Sequence, residues 1–119
     1  MRLLVCGDRD WTDKEAIYNE IVFLAPDVII EGGARGADSM ARDIAILYDI
    51  TLVSFPADWP KYGKAAGPIR NQQMLELGKP DLVLAFHDDL DNSKGTKDMV
   101  NRARKSGVEV IVWTHMAGD

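Results

Sequence analysis

Apolar residues gather along this chain in five short runs separated by longer amphipathic stretches. Residues 2–6 (RLLVC), 27–30 (DVII), 51–55 (TLVSF), 81–86 (DLVLAF) and 108–113 (VEVIVW) are rich in Val, Ile and Leu with little alternation. Strands covered on both faces of a parallel sheet carry this pattern. Residues 13–24 place Ile17, Ile21 and Leu24 at helical spacing, with Thr12 or Asp13 as the N-cap. Residues 38–48 align Ala41, Ile44, Ala45 and Tyr48 on one helical face. A third helix is predicted from about Gly67-Pro68 to Gly78, and a fourth from about Thr96 to Ser106, stopped by Gly107. Strand–helix alternation throughout predicts a single doubly wound α/β domain over residues 1–119 with a parallel sheet.

In such sheets ligands bind outside the carboxyl ends of the strands, where the strand order reverses. Each polar, unusual segment of the chain falls at one of those ends. EGGARGAD, residues 31–38, follows the second strand. Gly32, Gly33 and Gly36 permit close backbone approach, and amides at the start of the next helix can hold an anion. Arg35 can add a bidentate phosphate contact, and Asp38 can cap the helix or accept a ribose hydroxyl. A tight turn that merely needs glycine is the plain alternative. The spacing matches neither GxGxxG nor GxxxxGK[ST].

The sequence Gly7-Asp8-Arg9-Asp10-Trp11 follows the first strand. There Gly7 allows a sharp turn, Arg9 points to the same crevice, and Trp11 either stacks on a base or packs over a helix. Pro56-Ala57-Asp58-Trp59 follows the third strand, and a long loop leads to Ala66-Gly67-Pro68-Ile69-Arg70-Asn71. Arg70 and Asn71 fall in a first helical turn, where the dipole disfavours a cation unless an anion accompanies it. After the fourth strand, residues 87–96 (HDDLDNSKGT) end in Gly95-Thr96, a second glycine-bearing helix start. Its aspartates do not fit the twelve-residue calcium loop. His87 and His115 make a poor zinc pair without a nearby cysteine. Neither a metal nor a cofactor is expected.

Composition narrows the partners. The formal charge of −5 and pI near 4.9 argue against a duplex-coating protein. A small anionic ligand remains compatible, because a few local donors suffice. The apolar runs are too short to span a bilayer. Asp8, Arg9 and Asp10 cut short any signal-like start, and Cys6, the single cysteine, reads as a packed core thiol. A cytoplasmic location is expected.

Taken together, GDRDW, EGGARGAD, PADW with AGPIRN, and KGT resemble the SLOG superfamily, and more closely its small YspA-type, cpYpsA-related branch of bacteria and phages. The resemblance runs from Gly7 to about Met99 and implies a Rossmann-like sheet in the order 3-2-1-4-5 that binds a nucleotide or nucleotide-derived ligand. Relatives include LOG-type phosphoribohydrolases, which release a base from a nucleoside monophosphate, and DNA-processing proteins that bind single strands. The resemblance assigns Gly32, Gly33 and Gly36 to the family's glycine loop, Arg70 to its arginine, and Gly95 and Thr96 to its phosphate-binding pair.

One position departs from that pattern. LOG-type enzymes carry PGGxGTxxE with a catalytic glutamate, whereas here Met99 stands at that place and no Pro-Gly-Gly precedes it. Asp98 lies one residue early, about 100° around the helix, and is expected to point elsewhere. Glycosidic cleavage needs a carboxylate, so the substitutes are Glu31, Asp38 and Asp58, with Arg70 as a further catalytic candidate. A ligand-binding module or sensor is the leading expectation. A nucleoside monophosphate phosphoribohydrolase is the alternative, and single-strand binding through Trp11, Trp59 and Arg35 the third. A homo-oligomer is also expected, since Tyr18, Val22 and Phe23 exceed what one helix face can bury, with the third or second helix as alternatives for the contact.

Overall fold

The structure, a computed structural model, describes residues 1–115. Strands β1 (Arg2–Gly7), β2 (Val28–Glu31), β3 (Thr51–Ser54), β4 (Leu82–Phe86) and β5 (Glu109–Trp113) form one parallel sheet. Their order is β3-β2-β1-β4-β5. Helices α1 (Lys14–Leu24), α2 (Ala37–Leu47), α4 (Ala66–Glu76) and α5 (Gly95–Lys105) connect the strands, with a short α3 (Trp59–Tyr62) before α4. The doubly wound α/β class and the strand order are as the sequence predicts.

Alternation hidden in the strands separates the two layers of the core. Leu3, Val5, Ile29, Leu84 and Phe86 pack with Ile17 and Ile21 of α1 and Ala41 and Ile44 of α2. Their neighbours Leu4, Cys6, Ile30, Val83 and Ala85 pack with Met74 and Leu75 of α4 and Met99, Val100 and Ala103 of α5. Because both faces are apolar, successive residues go to opposite layers without any polar position to mark the period. Each fully buried aliphatic side chain contributes roughly 1.5–3 kcal/mol, so the sheet is fixed from both sides.

Element ends refine the expectations in physically readable ways. Of the two expected N-caps of α1, Asp13 is the one that serves, its Oδ1 accepting from Ala16 N at 3.1 Å. The expected long loop before α4 contains α3 and a 3₁₀ turn over Gly63–Ala65. Asp58 caps α3 by accepting from Lys61 N at 3.2 Å. Helix α4 ends at Glu76 with Leu77 as its C-cap, so Gly78 follows the cap as the expected stop.

Two glycines bring the loops to a common rim. Gly7 lies so close to β4 that a Cβ there would overlap Phe86 O, and the next amide, Asp8 N, donates to that carbonyl at 2.9 Å. Gly36, at φ 75°, sits against the carbonyls of Asp8 and Arg9 with no room for a side chain. Ala37 N then donates to Asp8 O at 3.2 Å. The loop after β1 and the glycine segment after β2 are thus locked to each other before any ligand arrives.

Candidate functional site

Strand order reverses between β1 and β4, and a crevice of about 520 Å³ opens at their carboxyl ends. Cys6, Met74 and Met99 belong to its lining and to the core beneath it. A second recess of about 420 Å³ lies beside it, and the two share Arg9, Ala34, Arg35, Trp59 and Arg70. Arg70, at the boundary, comes from the first turns of α4.

Arg70 is less solvated than an exposed first-turn arginine. Its Nη1 donates to Gly32 O and its Nε to Asn71 Oδ1 at 3.1 Å. Burial lowers its pKa, and the nearby Asp38 carboxylate opposes that shift. Asn71, also buried, passes the connection onward: its Nδ2 donates to Gly95 O at 3.2 Å and to Asp98 Oδ2 at 3.0 Å. Asp98 accepts further from Arg102 Nε at 2.8 Å. One hydrogen-bonded chain therefore runs from the glycine segment through α4 to the start of α5. The amide of Asn71, expected to meet a ligand, is engaged chiefly in holding this frame.

The glycine segment itself corrects an expectation. Its amides do not stand open for an anion. Gly32 N donates to Asp38 Oδ2 at 3.0 Å, Ala34 N to the same oxygen at 3.4 Å, and Gly33 N to Glu31 Oε2 at 2.7 Å. Two carboxylates of the segment occupy the donors that a phosphate would use. Asp38 consequently does not cap α2, whose N-cap is Gly36. Burial drives the Asp38 carboxyl up to about 6, against the opposing pull of the Ala34 amide and Arg70. It lines the crevice as a group that takes up a proton near neutrality.

Glu31 is 1% exposed, and Ser54 Oγ donates to its other oxygen at 2.8 Å. It pins β2 to β3 and lines neither recess, which sets it apart from the candidates that reach the crevice. Trp11 is likewise placed in the core, 5% exposed, with Phe86 and Trp113 against its ring. It packs rather than stacks on a base. Asp58 serves α3 as its cap and Gly36 serves the loop junction; neither lines a recess.

The remaining sequence candidates do come together. Gly7, Arg9, Arg35, Asp38, Trp59, Arg70, Asn71, Gly95 and Thr96 reach the crevice, while Gly32 and Gly33 line the second recess. At the start of α5, Thr96 N donates to Ser93 Oγ at 3.1 Å, and the N-cap Lys94 forms no side-chain cap. Gly95 has open space where a side chain would stand. Arg35 pairs with Asp10 at 3.2 Å across exposed surface.

Sequence reasoning missed Lys64, Lys94, His87 and Asp98, all of which line the crevice. Asp98 was expected to face away. Met99 beside it is buried, yet both residues line the crevice, and Asn71 reaches across to Asp98. The only signal in the sequence was Asp98 with Arg102 at i, i+4, an ordinary helix pair.

Comparison with known proteins identifies the family. A family model described as YAcAr, the YspA, cpYpsA-related SLOG family, matches residues 1–62, from β1 to the end of α3. The Gene 61 protein of Mycobacterium phage D29 is 35% identical over 120 residues, spanning 92% of this chain and 94% of that protein. Its similarity thus extends beyond residue 62 into the part that carries Arg70, Gly95 and Thr96. The chain belongs to the YspA, cpYpsA-related SLOG family, and this membership supports a nucleotide-related ligand-binding or processing role.

Proposed function

We propose that the crevice binds a nucleoside monophosphate or a ligand derived from one, with its phosphate between Arg70 and the first turn of α5. The observation that carries this is the meeting of Arg70, Lys94 and the Gly95-Thr96 helix start around one cavity at the strand-order reversal. A helix N-terminus offers about half a unit of positive charge, although the Thr96 amide is shared with Ser93 Oγ here, and the guanidinium adds a full charge in fork geometry. On this reading the glycine segment gives the pocket its shape, and Trp59, 47% exposed at the shared wall, offers a face for the base. Isothermal titration tests it. Arg70→Ala should weaken binding of a nucleoside monophosphate by roughly 1.5–3 kcal/mol, the range for a charge-assisted hydrogen bond. Because Arg70 also holds Gly32 O, the variant's melting curve is read alongside. Equal affinities in a folded variant would sink the site.

A phosphoribohydrolase is the second reading, and one observation favours it: Asp38 and Asp98 both line the crevice although Met99 fills the family's glutamate position. A protonated Asp38 could donate to a departing base while Asp98 polarises water. Incubation with nucleoside monophosphates, followed for free base, separates the readings. Release of base that Asp98→Asn abolishes supports the enzyme; binding without release leaves the sensor.

A further inference from the structure

We propose that the second recess is an anion subsite of its own, so that the preferred ligand is a nucleoside di- or triphosphate rather than a monophosphate. This rests on the reading that the crevice holds a nucleotide, and it deepens that reading. The residues lining the recess include Arg9, Arg35 and Arg70 and no carboxylate. In a chain with 19 acidic against 14 basic residues, an acid-free wall with three guanidinium groups is a marked local reversal of charge. The neighbouring crevice shows the contrast, since Asp8, Asp10, Asp38 and Asp98 stand among its cations.

The carboxylates closest to these arginines leave them usable. Asp10 holds Arg35, but both side chains are more than 70% exposed, and an exposed pair of this kind is worth little and yields to a better partner. Asp38 acts on Arg70 from the buried side, and burial lifts its pKa to about 6, so it is only half ionised at that pH. Arg9 is exposed at the rim of both cavities. Guanidinium forks match phosphate oxygens in pairs. Arg70 belongs to both linings, so phosphates attached in series can pass from one cavity to the other along a single side chain. Trp59 belongs to both linings as well.

The test is titration of the full chain with the 5′-mono- and diphosphates of adenosine, guanosine, cytidine and uridine. For the base that binds best, the diphosphate should bind at least about tenfold more tightly, a factor one charge-assisted hydrogen bond supplies. In the Arg9→Ala, Arg35→Ala chain that ratio should fall to about one, and lysine at both positions should restore part of it. Melting curves confirm that the variants fold. If a monophosphate binds and the diphosphate gains nothing, the second subsite is wrong while the nucleotide reading stands. A ratio that survives the double substitution also overturns it. If no mono- or diphosphate binds the native chain, both readings fall.

Discussion

Asp38 sits where two demands of the fold collide. Its carboxylate ties down the amides of Gly32 and Ala34, yet burial favours the neutral acid and lifts its pKa from 3.8 to about 6. The sign follows directly: a folded-state pKa above the unfolded value means the native chain holds the proton longer. Its contribution to stability is fully present below about pH 4 and is lost as pH rises through about 6. Asp38→Asn keeps an oxygen for both amides and removes the titration. The stability of the Asn variant relative to the native chain should therefore rise across that window, by about 3 kcal/mol at most. Chemical denaturation at pH 4 and pH 7.5 measures it; a pH-independent difference would contradict the assignment. Nothing in the string EGGARGAD foretold this, because composition shows which groups are ionisable but not which are desolvated.

At the scale of elements, His115 shows how segments far apart in sequence are fastened. Its Nδ1 lies 2.7 Å from Asp88 Oδ2 and its Nε2 lies 2.8 Å from Asp13 Oδ2. Since a carboxylate only accepts, both ring nitrogens must donate, which requires the imidazolium. The ring also stacks on Trp11 at 4.8 Å between centroids. This joins the N-cap of α1, the loop after β4 and the chain after β5. The hydrogen bonds to Asp13 and then Asp88 raise the histidine's pKa; the ring contact holds Asp13 below its ordinary range, and the His115 backbone amide, followed by the ring, does so for Asp88. The latch contributes fully below about pH 6.5, down to the lowered carboxylate values, and is lost as pH rises through the raised histidine value. His115→Gln should therefore lower the melting temperature at pH 5.5 and change it far less at pH 9. Thermal melts at the two values check this, and an equal loss at both would remove the charged latch. The sequence placed the strands that carry these groups, but treated His115 only as half of an unsuitable zinc pair. Its partners lie 27 and 102 residues away, beyond any local pattern.

For the whole molecule, the exposed apolar residues pose the remaining question. Phe23 is 83%, Leu47 75%, Ile46 67% and Val22 55% exposed, all toward the ends of α1 and α2. Tyr18, expected among them, is partly buried and meets Tyr48 at 5.6 Å between ring centroids. We propose that the homo-oligomer expected from the sequence forms through these residues of α1 and α2, since their side chains have little burial within one chain. Light scattering should then give a mass above 13.2 kDa, and Phe23→Asp should shift it toward the monomer. A native chain at the monomer mass would end the proposal. Among the described residues no helix is long and apolar enough to cross a membrane.

The sequence by itself determined the sheet, its order with the help of family resemblance, and the rim on which the polar segments gather. Those features follow from runs of apolar residues and from glycine placement, both of which act locally and repeat along the chain. Tertiary structure decided which rim residues reach the cavities. Gly36, Glu31 and Trp11 looked like site residues because their types suit binding, yet packing absorbs each of them. Asp98 looked wrongly turned, yet α4 lying beside α5 brings Asn71 to it. The same holds for the glycine amides: their type was legible, but whether they face a ligand or an internal carboxylate depends on where Asp38 and Glu31 fold back. Hydrogen-bond partners and desolvation are properties of neighbours in space, and the sequence names only neighbours along the chain.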